Sequence, residues 1–146
     1  MRTFSRSAVL EWNGDVMRGS GTIIGSSSHF SVAATFPRVA GEPPGTTTPE
    51  ELLAASHATC YGIGLRGLIA QRSGTAQRVR VTATITADKG PGGIRIRSSH
   101  LRAVVEGLEG IDSRQLQEIA EATEQGCTIS IAIRDAVAIT VEVEAA

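Results

Sequence analysis

From Arg78 to Ala87 the chain sets Val79, Val81, Ala83 and Ile85 against Arg80, Thr82, Thr84 and Thr86, the two-residue period of a strand with one wet face. Lys89-Gly90-Pro91-Gly92-Gly93 reads as a hairpin loop, so Ile94 to Glu106 is predicted to return antiparallel to the first strand. Val137 to Val143 alternates as strictly and supplies a last strand. Nearer the N-terminus, Thr3 to Trp12 holds β-compatible residues up to the turn signal Asn13-Gly14-Asp15. Met17 to Ile24 resumes the run and Phe30 to Phe36 is a third candidate. Pro37 then begins a loop with Gly41, Pro43, Pro44 and Gly45, residues that no regular element would hold together.

At Thr48-Pro49-Glu50-Glu51 the period changes. Thr48 fits an N-cap, Pro49 the first helical position and Glu51 the reciprocal acid of a capping box, which leaves Glu50 free. Leu52, Leu53, Ala55, Ala58, Ile63, Leu65, Leu68 and Ile69 keep apolar faces on this helix until Ser73-Gly74 ends it. Gly62, Gly64 and Gly67 lie inside it, each costing about 1 kcal/mol relative to Ala, which predicts close packing or a local break. Asp112 or Ser113 caps a second helix through Leu116, Ile119, Ala120 and Thr123, with Gly126 in the C′ role. Strands precede each helix in the order βββ-α-ββ-α-β, which predicts an α+β fold with antiparallel sheets and two main helices.

The length of 146 residues fits one domain, large enough to fold without a metal or disulfide staple. The net charge is −1 and the basic residues are scattered, so no nucleic-acid partner is expected. Apolar runs are far too short to span a bilayer and Met1 to Leu10 has no signal-peptide pattern, which predicts a soluble, cytoplasmic protein with reduced thiols. Aromatic residues make up only 3%. A core of Ala, Val, Ile and Leu closes its gaps through close backbone approach or through surface contributed by a partner chain.

Two cysteines carry little information by themselves, since buried Cys usually acts as a small hydrophobe. Their positions add more. Cys60 stands inside the first helix beside Gly62 and Gly64, whereas Cys127 follows the second helix, whose C-terminal dipole disfavours a thiolate. Cys60 is therefore the better nucleophile and Cys127 the better resolving thiol, provided a cation such as Arg lowers the Cys60 pKa. His57 shares a helix face with Cys60, yet His57, Cys60 and Cys127 fall short of the four ligands of structural zinc, and His57 reads first as a satisfied helix histidine.

Taken together, the motifs resemble one family. Trp12-Asn13-Gly14-Asp15, Arg18-Gly19-Ser20-Gly21-Thr22, Pro37-Arg38, the run Thr48-Pro49-Glu50-Glu51-Leu52-Leu53-Ala54-Ala55-Ser56-His57-Ala58-Thr59-Cys60, Gly110-Ile111-Asp112 and Gly126-Cys127 closely resemble the OsmC/Ohr thiol-dependent peroxidases, nearer the OsmC branch. The resemblance spans the chain as a single domain, 1–146. It implies an organic hydroperoxide reductase working as an intertwined homodimer, reset by an external dithiol, with no metal and no bound organic cofactor. It also implies Cys60 as the peroxidatic cysteine, Cys127 as the resolving cysteine, Glu50 as the acid, and Arg18 or Arg38 as the cation that holds the thiolate. Thr128 departs from the Pro that often follows the second cysteine, and the Gly41 to Thr47 loop is about two residues longer than usual for the family. In a straight helix Glu50 and Cys60 lie about 15 Å apart, so the acid reaches the site through a helix break, a long Arg or the other subunit. The rival readings are a non-catalytic small-molecule-binding relative of the same dimeric fold and a metal-binding dimer.

Overall fold

A computed structural model of the chain describes residues 1–35 and 46–146, and Phe36, Pro37, Arg38 and the loop through Gly45 lie outside the described residues. Two compact units emerge, Met1–Leu52 and Leu53–Ala146. In the first, β1 (Ala8–Asn13), β2 (Ser20–Gly25) and β3 (Ser31–Ala34) form an antiparallel sheet in chain order. β1 begins at Ala8, not Thr3, and β2 at Ser20, not Met17, the latter because Asp15 intervenes. Its Oδ1 accepts from the backbone N–H groups of Met17 (2.9 Å) and Arg18 (2.8 Å), an Asx turn that removes those donors from the ladder. Gly14, at φ +88°, supplies the left-handed step the turn requires.

The helix α1 (Pro49–Gln71) starts in this unit and continues without a break into the second. Thr48 Oγ1 accepts from the Glu51 N–H at 3.3 Å, as an N-cap should. Glu51 departs from the expected reciprocal role, because its carboxylate accepts from the Thr47 hydroxyl at 3.0 Å. The helix ends as Ser73 turns left-handed at φ +62° and Gly74 N–H reaches the Ile69 carbonyl at 2.9 Å. No described helix is long and apolar enough to cross a membrane.

The second unit holds β4 (Arg78–Gly90), β5 (Gly93–Glu106), α2 (Ser113–Gly126), the short α3 (Thr128–Ile133) and β6 (Ala138–Ala145). Its sheet runs β4-β5-β6, with β4 and β5 antiparallel as predicted and β6 parallel to β5. The parallel pairing departs from the all-antiparallel expectation. A strand beside β5 can run parallel to it only after a crossover, which α2 and α3 provide. The apolar face of β5, Leu101, Ala103 and Val105, packs with Tyr61, Leu65 and Ile69 of α1 and with Leu116 and Ile119 of α2. A Cβ on Gly62 would stand 3.3 Å from Val81 Cγ2, and one on Gly64 3.3 Å from Thr123 Cγ2. These two glycines serve close packing, and the helix has no local break.

Candidate functional site

Cys60 is half-buried on α1 and Cys127 is buried between α2 and α3, both as free thiols. Cys127 ends α2 and begins α3 in extended backbone, at φ −68° and ψ 120°; Gly126 is the last residue of α2, not the left-handed C′ residue predicted. That corner turns the Cys127 side chain toward Cys60, within reach of a thiol hydrogen bond. Of the five site residues expected from the sequence, these two are brought together.

The surroundings separate the two sulfurs electrostatically. Burial pushes the Cys60 thiol up, but the Ile129 N–H, the Cys127 thiol, and the N–H and hydroxyl of Thr128 outweigh it and hold the pKa below its ordinary value. Burial pushes Cys127 up, and its contact with Cys60 adds to that, while the N–H groups of Ser130 and Ile129 and the Ser130 side chain pull the other way. Cys127 makes no full capping hydrogen bond to α3, so those donors attract charge on its sulfur without reversing the shift. Two sequence arguments change here. Among the described residues the donors that lower Cys60 are amides, a hydroxyl and a thiol; and burial, not the α2 dipole, is the first cause of the raised pKa at Cys127.

His57 occupies the turn of α1 before Cys60 and is fully buried. Its Nδ1 pairs with Ser99 Oγ at 2.7 Å and its Nε2 with Ser130 Oγ at 2.8 Å. Burial lowers its pKa against the opposing charge of Glu124, so the ring is held toward the neutral form. With both nitrogens engaged, His57 would have to give up a hydrogen bond to bind a metal beside Cys60. It is the satisfied helix histidine the sequence indicates, although it is fully buried and bridges two serines that sequence reasoning missed. Ser99 carried a readable signal. It is the polar residue on the β5 face that continues with Leu101, Ala103 and Val105, and a buried hydroxyl there needs a partner.

The remaining expected residues are Glu50, Arg18 and Arg38. Glu50 lies in the first turn of α1, and because the helix is unbroken it is about 15 Å along the axis from Cys60. Arg18 is exposed after the Asp15 turn, and its guanidinium makes no ion pair among the described residues. Arg38 lies outside the described residues.

Residues 41–142 match the model of the OsmC-like protein family. The chain is 28% identical over 128 residues to the peroxiredoxin OsmC of Escherichia coli strain K12, which covers 88% of this chain and 89% of that one. Among solved structures, the organic hydroperoxide resistance protein OsmC of Legionella pneumophila superposes with a TM-score of 0.78 over 99% of both chains at 21% identity. The organic hydroperoxide resistance protein OhrB of Bacillus subtilis has a TM-score of 0.71 and 22% identity over 97% of this chain and 98% of that one. The α+β fold is shared with both.

Proposed function

Because this chain belongs to the OsmC-like family, whose curated relative carries the name peroxiredoxin, we propose that it is a cysteine peroxidase that reduces organic hydroperoxides to alcohols through Cys60 and Cys127. The observation that carries the reading is the pairing of a thiol held below its ordinary pKa with a second free thiol held above its own. Such a pair divides the labour of nucleophile and resolver. The Cys60 thiolate attacks the outer oxygen of the hydroperoxide, the O–O bond breaks, and the alkoxide takes a proton and leaves as the alcohol. Cys60 becomes a sulfenic acid, which condenses with Cys127 to a disulfide and water. An external dithiol returns both cysteines to thiols by exchange, so no metal or organic cofactor takes part.

Arg18 or Arg38 supplies the cation for the thiolate and Glu50 orients it by a paired contact, acting from its own subunit or across a homodimer. Glu51 is engaged by Thr47 and is the less suited acid. A cytoplasmic setting would keep both thiols reduced between turnovers. Alkyl hydroperoxides are favoured over hydrogen peroxide because only they carry apolar surface to bury, at about 25 cal/mol per Å². Single-turnover mixing of reduced protein with a bulky organic hydroperoxide and with hydrogen peroxide tests the reading. The organic substrate should react at least tenfold faster, and equal rates would contradict the assignment.

A further inference from the structure

We propose that His57 is a positioning residue for the second chemical step: through its bond to Ser130 it holds Cys127 facing Cys60 and turns the Ser130 hydroxyl toward the Cys127 sulfur. The geometry repeats on both elements. His57 stands one helical turn before Cys60 on α1, and Ser130 of α3 stands three residues after Cys127, the residue that caps that helix. The 2.8 Å bond from Nε2 to Ser130 Oγ is thus a strut between the two cysteine-bearing segments. The 2.7 Å bond from Nδ1 to Ser99 Oγ anchors the same ring to β5. Ser99, His57 and Ser130 are all fully buried, and no buried polar side chain among the described residues lacks a partner.

One direction of donation suits the chemistry. Ser99 O–H donates to Nδ1, the Nε2–H donates to Ser130 Oγ, and the Ser130 O–H is then left to donate toward Cys127. The inference rests on the peroxidase reading and concerns its resolving step. There the Cys127 sulfur gives its electron pair to the Cys60 sulfur, the S–S bond forms and the S–O bond of the sulfenic acid breaks. Cys127 is oxidised and the Cys60 sulfur is reduced. The oxygen leaves with the S–O electron pair and takes the Cys127 proton, forming water. Negative charge that builds on Cys127 as its proton departs, before the S–S bond is complete, is met by the Ser130 hydroxyl, provided His57 fixes its orientation.

The test separates the two half-reactions in His57→Leu, Ser130→Ala and His57→Gln, each first checked for its fold by circular dichroism. The Gln amide can still donate to Ser130, whereas Leu cannot. Loss of Cys60 thiol on adding an organic hydroperoxide should stay within about threefold of wild type. Closure of the disulfide should slow on the order of tenfold or more in His57→Leu and Ser130→Ala, the size of one hydrogen bond to a charged group, with His57→Gln recovering most of the rate. In a Cys60→Ser background, alkylation of Cys127 by iodoacetamide at neutral pH should slow in the same order, a readout that needs no peroxidase turnover. If the wild type consumes no hydroperoxide, the functional reading fails while the alkylation series still decides the role of His57. Unchanged closure and alkylation in both His57→Leu and Ser130→Ala, or equal slowing of the peroxide and closure steps, would overturn the proposal.

Discussion

Thr128 does at the residue scale what a proline in its place would not. Its backbone N–H and its hydroxyl both act to lower the Cys60 pKa, and proline has neither. Thr128→Val keeps the N–H and the branched shape while removing the hydroxyl, so it should raise the Cys60 pKa, read by thiolate absorbance. Thr128→Pro removes both donors and should raise it further. His57 sets a second expectation. Its pKa is lowered in the folded protein, so the unfolded chain binds the extra proton first as acidity increases. The stability it contributes is present above the ordinary histidine value of about 6.5 and is lost as pH falls through the folded value. His57→Gln should flatten that part of the pH–stability curve, and identical wild-type and variant curves in denaturant would refute it. Position alone singled out the two cysteines as candidate nucleophile and resolver, and the fold brings the pair together. The donors around them were not legible, because α3 brings them in and a six-residue helix leaves no periodic signal.

At the scale of elements, the sequence pattern was most informative where caps and periodicity agree. Asp112 accepts from the Gln115 N–H at 2.8 Å, and Gln115 Oε1 accepts from the Asp112 N–H at 2.9 Å. Asp112→Ala should cost about 1 kcal/mol in chemical denaturation without altering the reaction of the thiols. Leu101 is fully buried where α1 and α2 meet β5, and Leu101→Ala should cost about 2–5 kcal/mol. The alternation in Arg78 to Ala87 and the loop from Lys89 to Gly93 foretold the antiparallel pairing of β4 and β5. The parallel docking of β6 was hidden, because alternation along one strand says which face is wet and nothing about the direction of its neighbour. In α1 the glycines were readable as a demand for close packing, and only the folded chain tells that Val81 and Thr123 are the neighbours.

For the whole molecule, exposed apolar surface is the feature that asks for a partner. Val9 and Leu10 of β1 are each 57% exposed and Ile63 of α1 is 71% exposed. Together with the scarcity of aromatic residues, this supports the proposed homodimer, with an interface above about 2,000 Å² as in permanent assemblies. Sedimentation should find a dimer at micromolar concentration, and Ile63→Glu should weaken it; a stable wild-type monomer would speak against the assembly. Arg18→Ala and Arg38→Ala belong to this scale as well, since both residues lie in sequence far from the Cys60 and Cys127 corner. One of the two should raise the Cys60 pKa, and Glu50→Ala should lower the peroxidase rate much more than Glu51→Ala. The most direct test of the central claim is mass spectrometry of the reduced protein after a single equivalent of organic hydroperoxide. The account predicts that both thiols disappear together and that one intramolecular Cys60–Cys127 disulfide forms; Cys60 carried on to sulfinic or sulfonic acid while Cys127 stays a free thiol would contradict it.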